Sequence, residues 1–300
     1  MRKAFIQLHI SILLAGFTGI LGKIITLNEG LLVWYRILIS MLVLGLILAG
    51  RRLTKEARRL TPALLPEQKL PSLLAIMGVG ALMALHWVFF FGSIKASNVS
   101  IGVICFSSTS LFTALLEPVF SRRRLSGKDV WISLLPMAGI LLIFHFDVRF
   151  RTSILLGIVS ALLAALFVIA NKQVAKGRSS VVVLFYEMVG GFLCLSLLMP
   201  FYLMYFPVAT VVPGLSDFLW LLVFAVGCTA ALQLLQIEAL RSISAFTVNL
   251  SYNLEPVYSI ALAMLLLGEA KELNVSFYIG LGLIFFSVLL QTWNARRAAS

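Results

Sequence analysis

Apolar stretches of about twenty residues follow one another from Phe5 to the last turns of the chain, and the connections between them are too short to hold a soluble domain. Crossing roughly 30 Å of hydrocarbon takes about 20 helical residues, because each rises about 1.5 Å and every backbone polar group must be paired within its own segment. Strands of a membrane barrel would read as about ten residues of alternating polarity, and no such alternation occurs. Only 12% of the 300 residues are charged, about half the share of a soluble protein. The pattern predicts an all-α integral membrane protein embedded in a lipid bilayer.

Ten spans are predicted, over residues 5–26, 31–50, 72–94, 99–120, 129–147, 152–174, 181–203, 216–239, 244–267 and 275–293. The first follows "MRK" and resembles a signal peptide, but it is too long and lacks a small-x-small cleavage site, so it counts as a span. The longest connection, 51–71, is basic and broken by prolines.

The net charge of +12 does not point to nucleic acid, because the basic residues sit in the connections. With ten spans, seventeen lysines and arginines fall on the side of both termini and four on the other. Positive charge collects on the cytoplasmic face, so both termini are predicted cytoplasmic, in the cell (inner) membrane. "RRR" at 122–124 is a topology anchor on this view. Cys105, Cys194 and Cys228 lie inside apolar stretches without paired spacing and are read as small buried side chains. No zinc-ligand spacing, phosphate-binding glycine loop or nucleophile elbow occurs. No cofactor, metal or enzymatic activity is expected; the alternative, a membrane-embedded enzyme acting on lipid or a lipid-linked substrate, would need such a constellation.

The chain repeats itself weakly. Lys23 is matched by Lys172, Tyr35-Arg36 by Tyr186-Glu187, and Lys95 by Arg241, at offsets of 149, 151 and 146 residues. Two units follow, 1–147 and 148–300, each of five spans. Five is odd, so the second unit crosses in the opposite sense, and the halves are predicted to be inverted repeats. The string "LEPV" also occurs twice, at 116–119 and 254–257, but 138 residues apart. The repeat register instead sets Leu254-Glu255-Pro256 opposite Ser108-Thr109-Ser110.

Ionisable groups inside hydrocarbon are costly and mark function by default. Glu255 sits near mid-span, beside Pro256, which lacks an N–H and should free the Tyr252 carbonyl. Asn249 and Asn253 lie within two turns, and Asn249, Asn253 and Pro256 share a face. A purely structural kink is the competing reading. Arg36 lies about six residues into its span, after Trp34 and Tyr35; either it faces a cavity, where a guanidinium suits a substrate carboxylate, or the group belongs to an interfacial belt. Glu187, its counterpart, should lie toward the opposite face as a gate or helix–helix pair. His86 and Trp87 lie near mid-span, and Gln233 and Gln236 either line the same cavity or bond helices together. Glu117, near the end of its span, is expected to snorkel to local arginines.

Ten spans in two inverted five-span units, "GxxGK" closing the first span, and the segment "SYNLEPVYSIALAMLLLGEAKELN" together resemble the drug/metabolite transporter superfamily, specifically EamA-type transporters. In the first half "EPVFSRRRLS" stands where a "GERLS"-like stretch is usual, so no role is carried over to Glu117. The resemblance covers the whole chain. It implies alternating access around a central cavity and a small-molecule substrate, commonly an exported amino acid or related metabolite. Glu255, Asn253, Tyr252, Asn249, Arg36, Trp34, His86, Trp87 and Gln233 are the candidate binding residues. Intramembrane Glu and His permit proton coupling, and a monomer or a homodimer fits equally.

Overall fold

The computed structural model describes residues 2–53, 70–122, 124–146, 150–271 and 273–299. Residues 54–69 of the basic connector, Arg123 and Arg149, all used in the charge count, lie outside the described residues. The described chain forms α1 (Arg2–Ile24), α2 (Glu29–Leu53), α3 (Leu70–Ala96), α4 (Val99–Phe106), α5 (Thr109–Ser121), α6 (Gly127–Phe146) and α7 (Arg151–Val174). It continues through α8 (Ser180–Tyr205), α9 (Leu215–Ala225), α10 (Leu232–Leu240), α11 (Ala245–Ser251), α12 (Glu255–Leu266) and α13 (Val275–Ala299). A π-helical turn, Val226–Ala231, joins α9 to α10, and a 3₁₀ turn, Tyr252–Leu254, joins α11 to α12.

Seven helical stretches among the described residues are long and apolar enough to cross a membrane, and the chain is a multi-pass membrane protein. Three further apolar helices are shorter: Val130–Leu142, Glu255–Leu266 and Val275–Ser287. The stretch 244–267, expected as one span, is two helices because the 3₁₀ turn divides it. On the outside, Leu46, Leu197 and Leu265 are 73%, 72% and 81% exposed, which suits acyl chains rather than water.

The helices of the two halves interdigitate. α3 packs on α7 and α8, α1 on α10 and α12, α2 on α8, and α6 on α13. In every one of these pairs, one helix ends before residue 147 and the other begins after it. Lipid supplies no hydrophobic drive for helix association, so close backbone approach over small residues does that work. A methyl group added at Gly16 would stand 2.8 Å from Tyr258 Cβ, and one at Gly19 would stand 2.7 Å from Val99 Cγ1. Contact is tighter between α3 and α8, where a methyl on Gly80 would collide with the Glu187 backbone and one on Gly190 with the Met77 backbone.

Candidate functional site

A cavity of about 60 Å³ is lined from α1, α2, α3, α4, α7, α10, α11, the 3₁₀ turn and α12. Ligand pockets usually hold about 300–1,000 Å³, so this one is contracted.

Arg36 of α2 forms one wall and is 1% exposed. Its guanidinium carbon lies 3.8 Å from the Trp87 ring centroid and 4.1 Å from that of Phe224. Stacking between aromatic faces partly replaces the lost water, since a guanidinium is weakly hydrated and attracted to a ring face. Nε donates to the Thr229 hydroxyl at 2.5 Å and Nη2 to the Cys228 carbonyl at 2.9 Å. Both acceptors lie in the π-helical turn, which shifts backbone pairing and leaves a carbonyl for the side chain. Nη1 is buried without a hydrogen-bond partner among the described residues.

Glu255 opens α12, with Pro256 following it in the first turn. Pro256 has no N–H to give the Tyr252 carbonyl, yet that carbonyl is not free: the Glu255 N–H takes it in an i→i+3 bond. The expected orphan carbonyl is thus corrected. A missing i→i+4 donor tightens the turn into a 3₁₀ one. The Glu255 side chain is 4% exposed and lines the cavity. Among the described residues its carboxylate has no hydrogen bond or ion pair, although the start of a helix favours negative charge there. The Tyr252 hydroxyl donates to Ser11 Oγ at 3.0 Å.

His86 Nδ1 lies 2.7 Å from Ser160 Oγ and 3.1 Å from the Ser160 carbonyl, while Ser160 Oγ donates to the His86 carbonyl at 3.0 Å. The hydroxyl proton is spent on that carbonyl, which assigns the imidazole proton to Nδ1 and leaves Nε2 as an acceptor. The ring stacks on Phe106 at 5.2 Å. Gln233 Oε1 and Gln236 Oε1 are buried without partners among the described residues, and Asn249 donates to the Thr113 hydroxyl at 2.7 Å.

Seven of the nine expected residues therefore line one cavity: Arg36, His86, Trp87, Gln233, Asn249, Tyr252 and Glu255. Trp34 does not. Its Nε1 donates to Ser196 Oγ at 2.9 Å and its ring meets Phe192 on α8. The placement beside Arg36 is corrected because residues two apart on a helix face different directions. The side chain of Asn253 lies outside the described residues. The cavity also takes in Thr18, Phe106 and Phe167, which nothing in the sequence separates from their apolar neighbours. Glu187 is fully buried, and both carboxylate oxygens are unpartnered among the described residues. It sits where α3 crosses α8, with its backbone against Gly80 and without a side-chain partner for the helix–helix pair that was one of its two expected roles.

Glu117 accepts no bond from local arginines among the described residues. Its carboxylate instead takes the N–H groups of Ala245 and Phe246, at 3.2 and 2.7 Å, at the start of α11, and stands 3.8 Å from Lys172 Nζ. The expectation of a snorkelling pair is corrected by these orphan helix-end donors. Glu269 does the same elsewhere. It takes the N–H groups of Val99 and Ser100 at 2.8 and 3.0 Å, and the Ser100 hydroxyl at 2.7 Å, at the start of α4. Lysines accompany both: Lys23 Nζ donates to the Ser97 carbonyl at 2.7 Å and Lys172 Nζ to the Ile243 carbonyl at 3.0 Å.

The sequence matches the model of the EamA-like transporter family twice, over residues 2–145 and again over 151–293. The chain belongs to the EamA-like transporter family. A solved structure titled "Crystal structure of protein" resembles this EamA-like chain with a TM-score of 0.68 and 22% identity, over 99% of each chain. At that identity the likeness concerns the fold alone. No curated protein matches the sequence. Among the described residues of this EamA-like transporter, no group of three or more His, Cys, Asp or Glu side chains is placed to hold a metal.

Proposed function

We propose that the chain is a secondary transporter that exports small metabolites, such as amino acids or related compounds, by alternating access through the central cavity. One observation carries this reading: two polar groups without hydrogen-bond partners among the described residues, Arg36 Nη1 and the Glu255 carboxyl, belong to one cavity walled by aromatic rings. A zwitterion with an apolar body complements that set. Its carboxylate would take the guanidinium, and its ammonium the Glu255 and glutamine oxygens. The cavity's contraction supports an occluded stage of such a cycle.

The proposed architecture is ten membrane helices in two inverted repeats, 1–147 and 148–300. Cross-half packing supports it. The contact of α3 with α7 is mirrored by that of α10 with α1, as exchanging equivalent spans requires. The breaks agree too: Ser107 and Ser108, between α4 and α5, lie 146 residues before Asn253 and Leu254 in the 3₁₀ turn. Both termini are placed on the cytoplasmic face of the inner membrane, and proton coupling through Glu255 is part of the reading.

The test is uptake by liposomes holding purified protein, screened with amino acids, nucleosides and cationic drugs, with and without a pH gradient. Movement of a zwitterionic amino acid, faster with the gradient, is the expected result. No transport of any of the three classes would overturn it.

A further inference from the structure

The Glu117 and Glu269 contacts lie at opposite ends of the same helices. The stretch Val99–Ser121 begins with the two N–H groups held by Glu269 and carries Glu117 eighteen residues later, roughly 27 Å at 1.5 Å per residue. The stretch from Ala245 begins with the N–H groups held by Glu117 and reaches Glu269 after α12. Each stretch is thus pinned at both ends to the other, by a carboxylate across orphan N–H groups. Each is also broken in the middle, at Ser107–Ser108 and at Tyr252–Leu254, beside the cavity. Gly268, with φ +71°, makes the turn that brings Glu269 back to α4, a backbone that L side chains rarely adopt.

We infer that Glu117 and Glu269 are positioning residues forming two clasps, one for each entrance of the cavity, and that transport releases them alternately. The inference rests on the alternating-access reading above. With both closed, the cavity is narrow, about 60 Å³. Release of Glu117 frees the start of α11, and the break at Tyr252–Leu254 lets that half-helix swing. On this side a cleft of about 160 Å³, lined by Glu117, Arg124, Ser244 and Thr113, already reaches inward. Its inner member, Thr113, is bonded to Asn249 of the cavity wall. Release of Glu269 frees the start of α4, and the break at Ser107–Ser108 serves the other entrance in the same way.

The test uses the full chain without its native cysteines and with Ala164→Cys as a reporter on the cavity wall. A membrane-impermeant maleimide is added to one face of the vesicles at a time. Glu117→Gln, which loses the charge and one acceptor oxygen, should raise labelling roughly tenfold from the Glu117 face alone, the loss expected for charge-assisted bonds. Glu269→Gln should do so from the opposite face alone. Glu117→Asp and Ser100→Ala are milder variants that should give smaller rises on the same respective faces, and they carry the test if either glutamine variant fails to fold. Unchanged labelling, or a rise from both faces with either single variant, would overturn the clasps. Labelling needs no substrate: opposed labelling in a protein that moves none would overturn the transport reading and leave the clasps standing.

Discussion

Arg36 holds the Cys228 carbonyl at 2.9 Å from a different helix, and that carbonyl belongs to the π-helical turn that splits α9 from α10. The guanidinium ties α2 to the backbone of that turn. One side chain therefore serves both as cavity wall and as a tie to the turn that leads into α10. Arg36→Lys keeps the charge but loses the planar fork. It is expected to lower transport at least about tenfold and to lower the melting temperature, as the loss of one charge-assisted bond of about 1.5–3 kcal/mol implies. Proteoliposome uptake and thermal unfolding in detergent check both.

Glu255 and Glu117 separate by what holds them. The Glu255 carboxyl has no hydrogen-bond partner among the described residues, so Glu255→Gln removes a titratable group without breaking a bond. Stability should hold or rise while transport collapses. Glu117→Gln weakens a helix-end cap of about 0.5–2 kcal/mol, so the melting temperature should drop by a few degrees, with a smaller loss of transport. Equal transport loss in the two variants at matched expression would contradict this ranking.

Trp34 and Trp87 lie on adjacent helices but touch different things. Trp87 faces the Arg36 guanidinium at 3.8 Å, whereas Trp34 bonds Ser196 at 2.9 Å, away from the cavity. Trp87→Phe should raise KM for the substrate by about 2- to 30-fold, the range of a cation–π contact. Trp34→Phe should leave KM unchanged. A concentration series of initial uptake rates decides between them.

The α3–α8 crossing admits no side chain at Gly80. Gly80→Ala sets a methyl against the Glu187 backbone, and backbone cannot yield as a flexible side-chain tip does. The cost exceeds the usual 1–3 kcal/mol of overpacking, so little protein should elute as a monodisperse peak in size-exclusion chromatography. Gly50→Ala, where a methyl meets nothing within 4 Å, is the matched control and should behave as the parent.

The helices were legible because hydrocarbon admits little else, and Arg36 and Glu255 stood out as charges in apolar stretches. Glu117 was visible, but its partners were not. They are backbone N–H groups 128 and 129 residues away, and a backbone N–H has no signature in sequence. Trp34 was drawn to the site by adjacency to Arg36 along the chain, which on a helix is not adjacency in space. Phe106 and Phe167 were silent because 22 phenylalanines are spread through the spans, and only folding selects those that meet. The break at Tyr252–Leu254 was signalled by Pro256, but its form, a tightened turn with the Tyr252 carbonyl paired, depends on a backbone choice that proline alone does not dictate.

Gly80 and Gly190 bring the backbones of α3 and α8 together so closely that neither helix can slide by a residue without driving a side chain into the other's main chain. α3 comes from the first half of the chain and α8 from the second. The two are therefore locked together as one spar, spliced across the boundary that the family matches draw between residues 145 and 151. The packing of the helices does not follow the boundary between the two family matches. On the alternating-access reading proposed above, the moving pieces are therefore drawn from both matched regions.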